Sequence, residues 1–164
     1  MDESRLELLQ GMPIFGAIRH DALAGLVEGA ETVFVPRGGF FFREGDREAS
    51  AFVLERGRVS ILKTVAGREF LLRELGDGDC FGEVALIDFG TRSASVVAQT
   101  DCSAIKVTAA GLRRALAQDP EQFALVYMNM ARELARRLRT ADERIFEAKV
   151  EAHLVDGDYR YQSV

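Results

Sequence analysis

Between Thr32 and Val107 glycine cuts the chain into short apolar runs, and this spacing constrains the fold more than any other feature. Runs rich in β-branched and aromatic residues occupy 32–35, 40–43, 51–55, 58–63, 69–74, 94–99 and 103–107. Between them stand Pro36-Arg37-Gly38-Gly39, Glu44-Gly45-Asp46, Arg56-Gly57, Ala66-Gly67 and Gly76-Asp77-Gly78-Asp79. The runs favour a pleated, half-buried surface, and the glycines with their aspartates supply turn conformations. Strands this short, at such spacing, predict a β-sandwich or barrel and not a parallel α/β sheet.

Helical patterns flank the strands. Residues 4–10 read as a short helix with a capping box, Ser4 capping and Glu7 reaching back, and Gly11-Met12-Pro13 breaks it. A second helix is expected over 21–28, with Leu23, Leu26 and Val27 facing inward. Beyond the strands, Thr108 can cap a helix holding Leu112, Ala115 and Leu116. Asp119-Pro120-Glu121-Gln122 then forms a strong start signal: a capping aspartate, proline at the first helical position and glutamine at the reciprocal position of a capping box. No further glycine or proline occurs until Gly157. Within that span Tyr127, Ala131, Leu134, Leu138, Ala141, Ile145, Ala148, Ala152 and Val155 recur at alternating four- and three-residue steps. Such a seam predicts a parallel homodimer through this helix, with an alanine-rich contact of modest area. Arg132, Arg136, Arg137 and Arg139 read as a solvated face balanced by Glu133, Asp142, Glu143 and Glu147. Residues 156–164 read as a flexible polar tail.

The chain has 164 residues, enough for one domain with a real core. Its net charge of −5 argues against nucleic acid as a partner. No apolar h-region follows the acidic N-terminus and no run is long enough to span a membrane, so a cytoplasmic protein is expected. There are two cysteines and two histidines. Cys80 and Cys102 fall in strand-like segments that could be neighbours, and they are expected to be buried reduced thiols. His20 and His153 lie outside the strands, so no histidine set can hold a metal inside a barrel, and two cysteines cannot ligate an iron–sulfur cluster. No cofactor, no metal and no catalysis are expected.

One segment carries specific chemistry: Phe81-Gly82-Glu83-Val84-Ala85-Leu86-Ile87, followed by Arg92-Ser93-Ala94-Ser95-Val96. Gly82 lets the backbone approach closely and opens a short helix at Glu83 whose first N–H groups attract an anion. Arg92 adds a permanent charge and a planar fork of donors suited to phosphate. Glu83 repels phosphate, but its acceptor oxygens suit a sugar hydroxyl, and Ser93 can donate beside the arginine. A small anionic ligand that carries a sugar satisfies all of these groups.

The segment resembles the phosphate-binding cassette of cyclic nucleotide-binding domains, the family of bacterial catabolite activators, protein kinase A regulatory subunits and cyclic-nucleotide-gated channels. The nine-residue step from Glu83 to Arg92 agrees with many members, whereas Thr91 stands where proline often precedes the arginine. The turns at Glu44-Gly45-Asp46, Arg56-Gly57 and Gly76-Asp77-Gly78-Asp79 fall in the family's register, and the likeness covers roughly residues 12 to 145. It implies an eight-stranded antiparallel β-roll of jelly-roll type with N-terminal helices and a long C-terminal helix. The implied layout is a single domain over 1–155, with helices in 1–30, the roll in 31–107 with its cassette at 81–96, and helices in 108–155.

It further implies non-covalent sensing of cAMP, less so cGMP. Glu83 would take the ribose 2′-hydroxyl and Arg92 the cyclic phosphate, with Phe81, Gly82, Val84, Ala85, Ser93 and Ala94 completing the site. Aligning Ala135-Arg136-Arg137-Leu138 with the similar string of the bacterial activators puts Thr140, Ala141 and Asp142 near the base. The C-terminal helix would then signal to an unknown downstream protein, since no helix-turn-helix, kinase-interacting segment or pore is recognisable in these residues. Two alternatives share the scaffold: a cyclic di-GMP receptor, with Arg73, Tyr127 and the helix arginines as extra contacts, and a degenerate module kept for dimerisation.

Overall fold

A computed structural model describes residues 3–28 and 30–156 of the protein, with the side chains of 3–5 and 153–156 left aside. The chain divides into two compact units, Met1–Asn129 and Met130–Val164. The first unit contains eight strands, all paired antiparallel, in two four-stranded sheets. The strands are β1 (Thr32–Val35), β2 (Phe40–Phe42), β3 (Ser50–Arg56), β4 (Val59–Val65), β5 (Arg68–Leu75), β6 (Cys80–Phe81), β7 (Ser95–Ala98) and β8 (Cys102–Thr108). One sheet has the order β1-β8-β3-β6 and the other β2-β7-β4-β5. This is the β-roll expected of the sequence, with β6 as the one strand too short to leave a periodic trace.

The core joins the two sheets. Phe52 stacks on Phe81 at a centroid distance of 5.5 Å and on Phe42 at 5.9 Å, while Phe41 meets Phe81 edge-on at 5.0 Å. Such ring pairs add about 0.5–1.5 kcal/mol each beyond their burial. In β3 every residue from Ser50 to Leu54 is buried, which explains why that strand reads as a continuous apolar run without alternation. The β3–β4 turn needs glycine: Gly57 has φ +114, and a Cβ there would fall 2.6 Å from Cys102 Sγ. Cys80 and Cys102 are buried and not joined in a disulfide. They are not neighbours, because β3 lies between their strands.

β5 is the outermost strand of its sheet. Phe70, Leu71 and Leu72 are exposed on it, and its pairing with β4 is interrupted by a bulge where Leu72 is skipped between the Ile61–Arg73 and Leu62–Leu71 pairs.

Helices α1 (Glu3–Gln10) and α2 (His20–Val27) precede the strands, with one 3-10 turn at Pro13–Phe15 between them. The expected cap at Ser4 is not where α1 starts: the helix already includes Glu3, so the serine is an interior residue. In α2 the inward residues are Leu23, Leu26 and Val27, as the spacing requires. After the sheets, Thr108 caps α4 (Ala109–Gln118) through its hydroxyl, which accepts from Gly111 N at 3.1 Å. Leu112 is buried on that helix, but Leu116 is exposed.

The start of α5 (Pro120–Asp156) is tied to the N-terminal helices by polar bonds within the first unit. Asp119 caps it, its Oδ1 accepting from Gln122 N at 3.1 Å, while its Oδ2 accepts from Arg19 at 2.7 Å. Gln122 does not close the reciprocal box expected of it. Its side-chain oxygen instead accepts from Arg19 N at 2.7 Å, which satisfies a donor at the head of α2. Asn129 donates to the carbonyls of Ile14 and Gly16 at 3.2 and 2.8 Å.

Among the described residues, the second unit consists of the rest of α5. There Glu133 pairs with Arg136 at 2.9 Å and Arg137 at 2.8 Å, so part of the arginine cluster is balanced along its own helix. Leu138 and Ile145 of the seam are exposed, as are Phe146 and Val150. The tail expected at 156–164 lies outside the described residues apart from Asp156, which ends the helix, and so does the seam's Val155 side chain. No helix among the described residues is long and apolar enough to cross a membrane.

The Asp119 cap yields a test. Its carboxyl is held below the ordinary aspartate value, first by the Gln122 N–H and then by Arg19. A lowered folded-state value contributes stability above the ordinary aspartate range, and that stability is lost as pH falls through the folded value. Asp119→Ala is expected to melt below the parent at about pH 6, with the gap narrowing by about pH 3. An equal gap at both pH values, read by thermal denaturation, would show that the charge on Asp119 does not matter.

Candidate functional site

The cassette begins where β6 ends. Gly82 takes the left-handed conformation, φ +78, and turns the chain from β6 into α3 (Glu83–Asp88). Glycine is required for a second reason, since a Cβ there would lie 2.6 Å from Arg92 Nη1 and 3.1 Å from both Phe42 Cε1 and the Ser50 carbonyl. The close approach read from the sequence is therefore an approach to the arginine itself.

Arg92 is only 2% exposed. Burying a guanidinium without partners is very unfavourable, so its contacts account for its presence. Nη1 donates to the Ser50 carbonyl and, at 2.9 Å, to the Gly82 carbonyl. Nη2 donates to Ser50 Oγ at 2.8 Å. The guanidinium carbon sits 3.9 Å from the centre of the Phe42 ring, a cation–π geometry that strengthens away from water. Burial pulls the arginine's pKa down, and the charges of Glu48, Asp46 and Glu83 offset part of that pull. With an ordinary value far above neutrality, Arg92 stays charged.

The arginine's backbone is also fixed. Arg92 N donates to the Asp46 carbonyl and its own carbonyl accepts from Gly45 N, both at 2.9 Å. This two-way link ties the cassette to the Glu44-Gly45-Asp46 turn and supplies the rigidity that Thr91, in place of a proline, does not. Ser93 is exposed, and its carbonyl accepts from Lys63 Nζ at 2.8 Å. Lys63 also pairs with Glu44, whose carboxyl is held below its ordinary value by that lysine and by the Thr64 N–H. Ser95 completes the junction by accepting from Glu44 N at 2.9 Å.

Glu83 is the first residue of α3 and only 3% exposed. Its burial next to a buried arginine's charge sets it apart from the solvated carboxylates of the surface. Phe81, Ala85 and Ala94 are buried and Val84 half-buried, so they form the apolar frame of the cassette. The structure thus brings together Gly82, Glu83 and Arg92, and surrounds them with Phe81, Ala85 and Ala94. Thr140, Ala141 and Asp142 belong to the second unit, where all three are exposed and Thr140 Oγ donates to the Arg136 carbonyl at 3.2 Å.

Two residues that hold the arginine were not singled out from the sequence. Phe42 carried a faint signal, being the last of three consecutive phenylalanines in a three-residue strand. Ser50 carried none: it lies 42 residues from Arg92, and nothing local marks a serine as an arginine acceptor. Among the described residues no group of three His, Cys, Asp or Glu side chains could hold a metal.

Replacing Gly82 by alanine is expected to lower stability by about 2 kcal/mol or more, through left-handed strain plus the clash with Arg92. Urea denaturation measures it, and a variant as stable as the parent would mean that the arginine can move aside freely.

Comparison with known proteins agrees with this geometry. Residues 32–119 match the family described as the cyclic nucleotide-binding domain. A CRP-like cAMP-activated global transcriptional regulator of Mycobacterium tuberculosis is 32% identical over 140 residues, which is 85% of this chain and 61% of that protein. The crystal structure of the catabolite activator protein of Thermus thermophilus superposes with a TM-score of 0.73 at 30% identity, covering 84% of this chain and 63% of that one. The N-terminal domain of a transcriptional regulator from Streptomyces coelicolor gives a TM-score of 0.67 at 30% identity, covering 88% of this chain and 95% of that one. The chain spans about three fifths of the length of the curated relative. A family match across more than half of its length, on the fold and the cassette described above, makes this chain a member of the cyclic nucleotide-binding domain family.

Proposed function

We propose that this chain binds a cyclic purine mononucleotide without chemistry, cAMP in preference to cGMP, and acts as a regulatory module. The observation that carries the reading is the burial of both Glu83 and Arg92 at one glycine turn, Glu83 following Gly82 and Arg92 donating to the Gly82 carbonyl. A phosphate suits the arginine and a ribose hydroxyl suits the carboxylate, so a ligand that carries both fits the two groups together. The preference for cAMP rests on the name of the Mycobacterium tuberculosis relative. Retention of both charged groups favours binding over a degenerate module. The rest of the reading is that Ser93 and Ala94 border the phosphate, that Thr140, Ala141 and Asp142 approach the base, and that the C-terminal helix carries the signal to a protein partner. Such coupling requires the ligand to bind one helix arrangement better than another. A net charge of −5 suits a protein partner better than nucleic acid.

The sugar provides the sharpest test. A hydrogen bond to a charged group contributes ~1.5–3 kcal/mol, so 2′-deoxy-cAMP should bind roughly ten- to a hundred-fold more weakly than cAMP. Glu83→Gln should weaken cAMP and nearly erase that difference. Calorimetric titration with cAMP, cGMP and cyclic di-GMP, alongside the deoxy analogue, decides the matter. Equal affinity for cAMP and its deoxy form would remove Glu83 from its role, and tighter binding of cyclic di-GMP would assign the site to the dinucleotide.

The exposed seam of α5 supports a parallel homodimer, with Leu138 at 62% and Ile145 at 54% exposure as subunit contacts. Sedimentation is expected to show a dimer at micromolar concentration, and a folded monomer for Leu138→Glu combined with Ile145→Glu. A parent that stays monomeric at every concentration, with and without cAMP, would end this reading.

A further inference from the structure

The bonds of Arg92 identify which of its five N–H groups are committed. Nη1 uses both hydrogens, one on the Ser50 carbonyl and one on the Gly82 carbonyl. Nη2 uses one, on Ser50 Oγ. Ser50 therefore meets the guanidinium twice, with its carbonyl on Nη1 and its hydroxyl on Nη2, and so occupies the end of the planar fork. The two remaining hydrogens belong to Nε and Nη2. They run parallel along one side of the group, the edge that can meet two oxygens of one anion side-on. Nε is buried and has no hydrogen-bond partner among the described residues. A donor desolvated in this way calls for an acceptor, and the edge it shares with Nη2 specifies one with two oxygens.

We propose that Ser50 is a positioning residue for the ligand, holding the end of the Arg92 fork so that the Nε–Nη2 edge faces the phosphate. The proposal rests on the reading that Arg92 receives the phosphate, and it adds which edge does so and what fixes it. The arrangement is stiff for three reasons. Ser50 is 1% exposed at the start of β3, in register with Thr108 of β8, which holds its carbonyl in place and leaves its hydroxyl little room. The Phe42 ring under the guanidinium fixes the plane of the fork. The Gly82 carbonyl closes the remaining Nη1 position, and no side chain at Gly82 competes for the space. A donor pair already held in place loses little freedom when the phosphate arrives, and such preorganisation gains affinity without further charges.

Ser50→Ala removes the hydroxyl and keeps the carbonyl. It is expected to weaken cAMP about ten-fold, the loss of one charge-assisted bond. Because Ser50 acts through the fork, the same substitution in an Arg92→Lys background should have no further effect, since lysine has no planar edge to orient. A merely structural role would produce the same loss in both backgrounds. The parent supplies an independent readout: the Arg92 Nε–H resonance, in an 15N-labelled sample, should shift when cAMP is added, and this holds even if Ser50→Ala does not fold. Equal cAMP affinity of Ser50→Ala and the parent, equal losses in the arginine and lysine backgrounds, or an unmoved Nε–H signal on saturation with cAMP would each overturn the role of Ser50 while leaving cyclic nucleotide binding intact. A parent that binds no cyclic nucleotide by calorimetry would overturn both.

Discussion

Everything distinctive about this molecule depends on keeping one guanidinium charged in a place where water cannot solvate it. Arg92 replaces its hydration with two backbone carbonyls, one hydroxyl and an aromatic face. Those partners come from three separate residues, Phe42, Ser50 and Gly82, so the charge can be satisfied only when β2, β3 and the β6–α3 turn are all in place. The fold and the site are in this sense one arrangement. The phenylalanine cluster that joins the two sheets supplies the ring under the arginine, and Ser50 of β3 supplies two of its three acceptors.

What could be read in the sequence was whatever the chain encodes locally. Thr108 and Asp119 announced helix starts because a capping side chain acts on its own next few residues. The Gly82, Glu83 and Arg92 constellation was legible because its members fall within eleven residues and each is chemically suited to one part of the same ligand. Gln122 was misread for the opposite reason. Its local option, closing the capping box, lost to a distant donor at Arg19 N, whose own lack of a partner only the packed structure reveals. β6 escaped notice because two residues carry no period, and Ser50 because its partner lies 42 residues away in the loop between α3 and β7.

The two ends of α5 differ in kind. Its first turns are tied within the first unit by Asp119, Gln122 and Asn129, all polar and directional. Its later turns carry exposed leucine, isoleucine and phenylalanine together with ion pairs along the helix itself. Directional bonds fix the first turns of the helix, whereas apolar side chains of the kind its later turns carry place little demand on angle. A helix built in this way can change what its outer half touches without losing the attachment of its inner half.

The bulge in β5 has a consequence of another sort. Three successive large apolar residues on the outermost strand of a sheet would ordinarily recruit strands from other molecules and seed precipitation. At Leu72 the bulge throws the pleat out of step, so that side chains before and after it no longer share a face register. An approaching flat strand would find its partners on the wrong side halfway along. The flanking Arg68, Glu69, Arg73 and Glu74 add charges that an incoming apolar strand could not match. Restoring a regular pleat by deleting Leu72 would thus remove the protein's own protection against stacking at high concentration, even if the roll itself became more regular.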